Sequence, residues 1–304
     1  MFNSFMSLIL KKNLHKAFSL IELSIVVLII GILIAGVTQG SRLVRQSRLA
    51  VARSLTQNAS VLSMPGMAAW FETTNDISIT SATNGRTPED SDLISSWNDI
   101  NMQSVNQIIV SSAGALRPTY TISGINNLPS VKFSGAQYLF SSLAAGGIIP
   151  LDAGSTDFTY IAVWKSYSAA TSDIFDQNST TQINGARAGL ITVAGTYGFC
   201  GESNDFLGTA SYSANKTMAS IMTVSTTSSS VSTVKIYDNI STYTGTIGPT
   251  TNLSNSLFYI GAKASNQSEK FNGLISEIII FKRALKPTEV ADVKSYLAKK
   301  YGII

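Results

Sequence analysis

The sequence predicts a long N-terminal α-helix followed by a mainly β, antiparallel sandwich that a short C-terminal helix closes. Three observations predict it. From Phe18 to Val37 the chain reads FSLIELSIVVLIIGILIAGV, twenty residues with a single charge, Glu22. Past Leu62 short β-type runs alternate with Gly, Asn, Ser and Thr, and after Pro287 a helical pattern returns. Composition is consistent: 44% of residues are hydrophobic and 13% charged, about half the roughly 25% charge of soluble domains and too apolar for disorder. One cysteine, Cys200, excludes an internal disulfide framework, and one histidine, His15, excludes multi-histidine metal centres.

A helix of twenty residues rises roughly 30 Å, the hydrocarbon thickness of a bilayer. Its sequence runs on through Thr38-Gln39-Gly40 and SRLVRQSRLAVARSLTQNASVL with no proline before Pro65. One helix over about 18–62 is therefore expected, apolar all round at first and amphipathic later. Leu55, Ala59 and Leu62 carry the apolar stripe, with Val44 and Val51 on related faces. Lys11, Lys12 and Lys16 precede the span and Arg42, Arg45, Arg48 and Arg53 follow it, so counting Lys and Arg leaves the orientation open. Glu22, a carboxylate inside an apolar span, either marks a function or snorkels at the helix start.

Candidate strands are FTYIAVW (158–164), GLITVAG (189–195), KTMASIMTVST (216–226), SVSTVKIYD (230–238), SLFYIGA (256–262) and LISEIIIF (274–281). Short strands at this spacing indicate an antiparallel sandwich. Ser63-Met64-Pro65-Gly66 reads as a helix stop and turn, which seats the sandwich on the helix through NASVLS and Met67. The Ser/Thr-rich stretch 224–233 reads as a hairpin. In the closing helix Pro287 takes the first turn, Glu289 complements the N-terminus, Val290, Val293 and Leu297 form the apolar stripe, and Lys299 and Lys300 complement the C-terminus.

The segment KAFSLIELSIVVLIIGILIAG resembles the processing and assembly segment of type IV prepilins and pseudopilins. The resemblance implies a leader of residues 1–17, cleavage between Ala17 and Phe18 by a prepilin peptidase, methylation of the Phe18 amine, and an assembly role for Glu22. Ala17 stands where the family usually has Gly. The leader would be cytoplasmic and the rest exported, so the precursor is expected as a single-pass inner-membrane protein with its head in the periplasm. Removing the leader takes three lysines, leaving 19 basic against 18 acidic residues. Residues 64–304 resemble concanavalin A-like, laminin-G-type jelly-roll domains through PGMAAWFETT (65–74), SSWND (95–99), RPTY (117–120), LPSVKFSGAQYL (128–139) and the closing run 271–303. Ile240 departs from that pattern, where the family often has Gly after the Asn. Domains are thus expected at 1–17, 18–63 (span about 18–37) and 64–304.

No catalytic site emerges from the residues. Glu89, Asp90 and Asp92, like GESND (201–205), read as loop acids without the paired carboxylates of a retaining glucanase, and the chain is expected not to be an enzyme. DAGSTD (152–157) and DIFDQN (173–178) have ligand types suited to calcium, yet turn capping explains them more simply; no cofactor is expected. Trp70, Trp97 and Trp164 read as core, Trp97 less firmly, and NGARAG (184–189) lacks the Lys-Ser/Thr of a phosphate loop. Arg42, Arg45, Arg48 and Arg53 form a basic stripe better suited to lipid headgroups or acidic neighbours than to nucleic acid. The expected function is a pilin-like filament subunit, minor or tip-located and adhesin-like, with a glycan or surface ligand for its head. A type II secretion pseudopilin and a membrane-tethered carbohydrate-active enzyme are the alternatives.

Overall fold

The computed structural model describes residues 19–303 apart from 105–106, 142–149, 153–155, 180–185, 230, 249–252 and 254–255. The chain divides into two compact units, Met1–Ser47 and Arg48–Ile304. Helix α1 (Leu20–Gln57) runs through the first and ends in the second. Ser19 starts it: its hydroxyl accepts the Ile21 N–H at 3.3 Å while Glu22 accepts the Ser19 N–H at 2.9 Å, the reciprocal pairing of a capping box. Within the apolar run Ser24 and Thr38 donate their hydroxyls to the Ile21 and Ile34 carbonyls, at 2.8 and 2.6 Å. These polar groups are satisfied inside the helix, as an apolar surround demands.

The helix stops at Gln57, short of the expected residue 62. The Asn58 side-chain amide donates to the Ser54 carbonyl at 2.8 Å, and Ala59 turns extended before a single 3-10 turn over Ser60–Ser63. That break lets Val61 and Met64 turn into the protein, where both are buried. Val44 and Val51, expected on a packed face, are more than half exposed.

The sandwich is built from β1 (Met67–Glu72), β2 (Ile79–Ser81), β3 (Ile94–Asn98), β4 (Ile109–Ser111), β5 (Thr119–Thr121), β6 (Ser130–Ser134), β7 (Leu139–Ser141), β8 (Phe158–Ser166), β9 (Ser172–Ser179), β10 (Arg187–Val193), β11 (Thr196–Cys200), β12 (Phe206–Ser211), β13 (Thr217–Ser228), β14 (Val231–Tyr237), β15 (Thr242–Ile247), β16 (Ser256–Ile260) and β17 (Asn272–Phe281); helix α2 (Pro287–Tyr301) follows. One sheet runs β15-β14-β13-β8-β17-β6-β5, with β1 also paired to β17; the other runs β12-β11-β10-β9-β16-β7-β4-β3-β2. All the described pairings are antiparallel. The six strands read from sequence are present, and 224–233 is the β13–β14 hairpin.

Alternation on β17 shows how the layers form. Ile278 and Ile280 enter the core between the sheets, with Phe71, Trp97, Phe133, Phe158, Trp164, Phe175 and Phe258. Ile279 and Phe281 face the other way, into a second core with Ala52 of α1, Val61, Met64 and the α2 stripe Val290, Val293 and Leu297. Both faces of the strand are covered, which is why LISEIIIF reads as a near-continuous apolar run. Each buried Ile contributes roughly 2 kcal/mol.

Polar groups join the same layer. Glu72 and Glu277 are cross-strand partners on β1 and β17, and Lys300 of α2 reaches them at 3.5 and 2.9 Å with no side-chain exposure on any of the three. Lys300 also donates to Thr56 of α1 at 2.8 Å, while Trp70, Tyr296 and Tyr301 donate to Glu277 at 2.7–2.8 Å. Lys300 is therefore not the solvent-facing helix-end charge that the sequence suggested. At the α2 start, Glu289 accepts both Arg283 Nη groups at 2.7 Å and the Lys286 N–H at 2.8 Å. Gly302, at φ +64°, ends the helix in the left-handed conformation.

Candidate functional site

Helix α2 and the end of α1 pack on the outer face of the first sheet, against β1, β8, β13 and β17, while the outer face of the nine-stranded sheet carries a group of polar and aromatic side chains. Its residues follow from the strand period. Phe175, Leu190 and Phe258 point into the core; Asp176 and Asn178 on β9, Arg187 and Gly189 on β10, and Leu257 and Tyr259 on β16 therefore point outward. A bulge between Leu190 and Ile191 also brings Asp173 onto this face.

Arg187 organises one end of it. Its Nη2 donates to Asp173 at 2.6 Å and its Nε to Asp176 at 2.9 Å, with all three side chains buried. Glu269 and Glu202 approach the guanidinium at 3.5 and 3.9 Å, and Lys263 bridges these two at 3.9 and 3.7 Å. The second Asp176 oxygen accepts the Ala264 N–H at 2.8 Å. Gly189 is what lets Asp176 lie across the strand: a Cβ there would come within 2.6 Å of the carboxylate. Burial pushes Asp173 well above the ordinary carboxylate range and neighbouring Asp176 adds to it; Asp176 also shifts up by burial, with Arg187 pulling it back. Burial works against the Arg187 charge, and the two aspartates more than offset it. One oxygen each of Asp173 and Glu269 is buried with no hydrogen-bond partner.

One strand spacing from Asp176, roughly 5 Å, its cross-strand partner Tyr259 opens an aromatic group. Tyr259 stacks on Phe140 at 5.3 Å and meets Tyr138 at the same separation; Tyr138 and Phe140 are half-buried. The Lys270 ammonium sits 5.7 Å over the Tyr138 ring. Asn178, set across from Arg187 on β10 and Leu257 on β16, is fully buried, with its amide oxygen and nitrogen both unpartnered. An unmade pair of this kind costs on the order of 1–3 kcal/mol per group. The half-buried rings of Tyr138 and Phe140 beside the Lys270 ammonium suit a cyclic polar ligand.

Of the residues singled out in the sequence, Glu22 lies in the first turn of α1; Ala17 and Phe18 lie outside the described residues. DIFDQN is strand β9, not a capped turn, and its aspartates bind Arg187. DAGSTD falls partly outside the described residues. Asp92 caps its turn, accepting the Glu89 N–H at 3.0 Å, and Asp90 ties the loop to a distant segment by accepting the Ile122 N–H at 3.0 Å, whereas Glu202 joins the Arg187 cluster. Trp70, Trp97 and Trp164 are fully buried. Arg53 leaves the basic stripe, donating to the Thr74 carbonyl at 2.7 Å and pairing with Asp76. Among the described residues no group of three or more His, Cys, Asp or Glu is arranged to hold a metal. The sequence singled out DIFDQN and NGARAG without giving Asn178 or Arg187 a role, and it missed the Tyr138–Phe140–Tyr259 group; the β9–β10 pairing that joins the first two is written in neither segment alone.

The profile of the concanavalin A-like lectin/glucanases superfamily matches residues 136–291, just over half the chain, and that of the prokaryotic N-terminal methylation motif matches residues 12–38. No curated protein matches. Among solved structures, an arabinofuranosidase complexed with arabinofuranosyl-α-1,2-xylobiose is similar with TM-score 0.55 and 11% identity, over 77% of this chain and 63% of that one. A GH54 α-L-arabinofuranosidase soaked with a cyclic sulfate inhibitor gives 0.53 and 12%, over 79% and 64%. The chain thus spans less than two thirds of the length of either. These neighbours correct the expectation that the chain is no enzyme, because the architecture is shared with glycoside hydrolases, although at this identity the likeness is one of fold.

Proposed function

The chain belongs to the concanavalin A-like lectin/glucanases superfamily and bears a prokaryotic N-terminal methylation motif, and from that premise we propose that it is a type IV pilin-like surface subunit whose head binds saccharide. The observation that carries this reading is the conjunction of a methylation motif opening an apolar helix with a lectin-like sandwich whose nine-stranded sheet bears the half-buried rings of Tyr138 and Phe140. Cleavage falls between Ala17 and Phe18. In the assembled filament Glu22 exchanges its own capping contact for the methylated amine of a neighbouring subunit, since a buried charge is tolerable when paired and costly when not. A head of this bulk suits a minor or tip subunit acting as an adhesin. The precursor resides in the inner membrane and the mature subunit at the cell surface.

Two measurements test the proposal. Mass spectrometry of the mature chain is expected to find methylated Phe18 at the N-terminus, and the 17-residue leader retained when the prepilin peptidase is deleted. The full-length chain in detergent, screened against a saccharide array, is expected to bind, and Tyr138→Ala with Phe140→Ala to weaken binding at least about tenfold, on the scale of one lost stacking contact. An unprocessed mature protein sinks the pilin reading, and array binding that survives the double substitution sinks the assigned face.

A further inference from the structure

Three arginines on α1 are left without a role by the fold. Arg42, Arg45 and Arg48 are exposed, and none makes an ion pair or hydrogen bond with a described residue, whereas Arg53 on the same helix is held by Asp76 and Thr74. The charge around them is uncompensated along the chain. No Asp or Glu occurs between Glu22 and Glu72, while the other seventeen acids and fifteen of the lysines and arginines lie from Glu72 onward. The positive charge of the processed chain is thus concentrated in this stretch of helix and is not spread over the head.

Its position relative to the apolar run selects the partner. At about 1.5 Å per residue, Arg42 lies roughly 7 Å beyond Val37 along the helix, Arg45 roughly 12 Å and Arg48 roughly 16 Å. Headgroups occupy roughly 5–8 Å on each side of the hydrocarbon core. Arg42 falls at phosphate depth, Arg45 reaches it by snorkelling, and Arg48 lies within about one Debye length, ~8 Å, of the surface. Lys and Arg beside a translocated end run against the usual charge bias, so three retained there need a counter-charge.

We propose that Arg42, Arg45 and Arg48 bind the phosphates of anionic phospholipids in the outer leaflet of the inner membrane, a contact that rests on the membrane-stored reading of α1. It retains the subunit at the bilayer surface until assembly withdraws the helix. The full-length chain, reconstituted in vesicles of equimolar phosphatidylcholine and phosphatidylglycerol, is tested by the relative association of spin-labelled forms of the two lipids. The expected result is selection of phosphatidylglycerol by about fivefold per engaged arginine at low salt, lost in high salt and in the Arg42→Gln, Arg45→Gln, Arg48→Gln triple variant. Glutamine keeps helix propensity at these exposed positions. Equal association of the two lipids, or selection unchanged in the triple variant, overturns the proposal. So does absent lipid selection accompanied by loss of subunit cross-linking in the variant, which assigns the stripe to an acidic neighbour. Alkaline carbonate extraction separates the two readings: a chain washed from the vesicles fails the membrane reading itself, and a chain that stays inserted without selecting lipid fails only the arginine assignment.

Discussion

Arg187 sits where several acids compete for one guanidinium, and its two closest partners are not equivalent. Asp176 has both oxygens engaged, by Arg187 and by the Ala264 N–H, while Asp173 keeps one oxygen unpartnered and is driven toward its neutral form by burial. Asp176→Asn is therefore expected to cost roughly 3–5 kcal/mol, as for a broken buried pair, and Asp173→Asn less, because Asp176 engages both oxygens and Asp173 only one. Urea denaturation of the two variants checks the order, and equal losses refute it. Asp99 offers a pH test. Its carboxylate accepts the Trp70 and Asn101 N–H groups at 2.7 and 2.8 Å, yet burial outweighs them and raises its pKa to about 6 from an ordinary 3.8. The folded protein then holds this proton more tightly than the unfolded chain. The contribution to stability is full below 3.8 and is lost as pH rises through about 6. Asp99→Asn should flatten that segment of the stability–pH curve; an unchanged slope assigns it to another group. None of this was legible in the one-dimensional chain: Asp173, Asp176 and Arg187 meet only because β9 and β10 pair with a bulge and because Gly189 leaves room between them.

Among the elements, the last turns of α1 and the end of α2 meet β1 and β17 through the buried Glu72–Lys300–Glu277 group as well as through apolar contact. Lys300→Met leaves two buried carboxylates without their cation, and a loss of roughly 3–5 kcal/mol is expected. Adding Glu72→Gln should restore part of it. Hydrogen exchange would report the single variant as faster exchange in α2, and the absence of any rescue in the double variant would count against charge as the cause. Helical periodicity placed α2 correctly, from Pro287 through the stripe Val290, Val293 and Leu297, because its buried face is written every three to four residues. It misplaced Lys300, since a lysine in a last turn reads the same whether it faces water or a buried acid. The turn at Asp238–Ser241 shows another limit. Ile240 stands where a glycine was anticipated, and Asp238 supplies the turn instead, accepting the Ile240 N–H at 2.8 Å and the Ser241 N–H. The side chain is left 80% exposed.

For the molecule as a whole, function divides by segment: an apolar helix whose first turn holds Glu22, a cationic stretch, and a sandwich with helices packed on one sheet and a polar and aromatic group on the other. Glu22→Ala is expected to leave leader cleavage intact while reducing filament incorporation by at least about tenfold, since a neighbour's amine then stays buried without a partner; immunoblots of membrane and sheared-filament fractions measure both. Normal incorporation would remove the pairing argument. The sequence by itself determined the apolar span, the methylation segment, the strand-rich head and the closing helix, because each is encoded by local composition or by a period along the chain. What the fold alone settles is which strand faces point outward, that Lys300 and the DIFDQN acids are buried, and that Tyr138, Phe140 and Tyr259 form one aromatic group. Those facts depend on pairing between residues as far apart as Glu72 and Glu277, and on which sheet face the helices cover, neither of which any local pattern records.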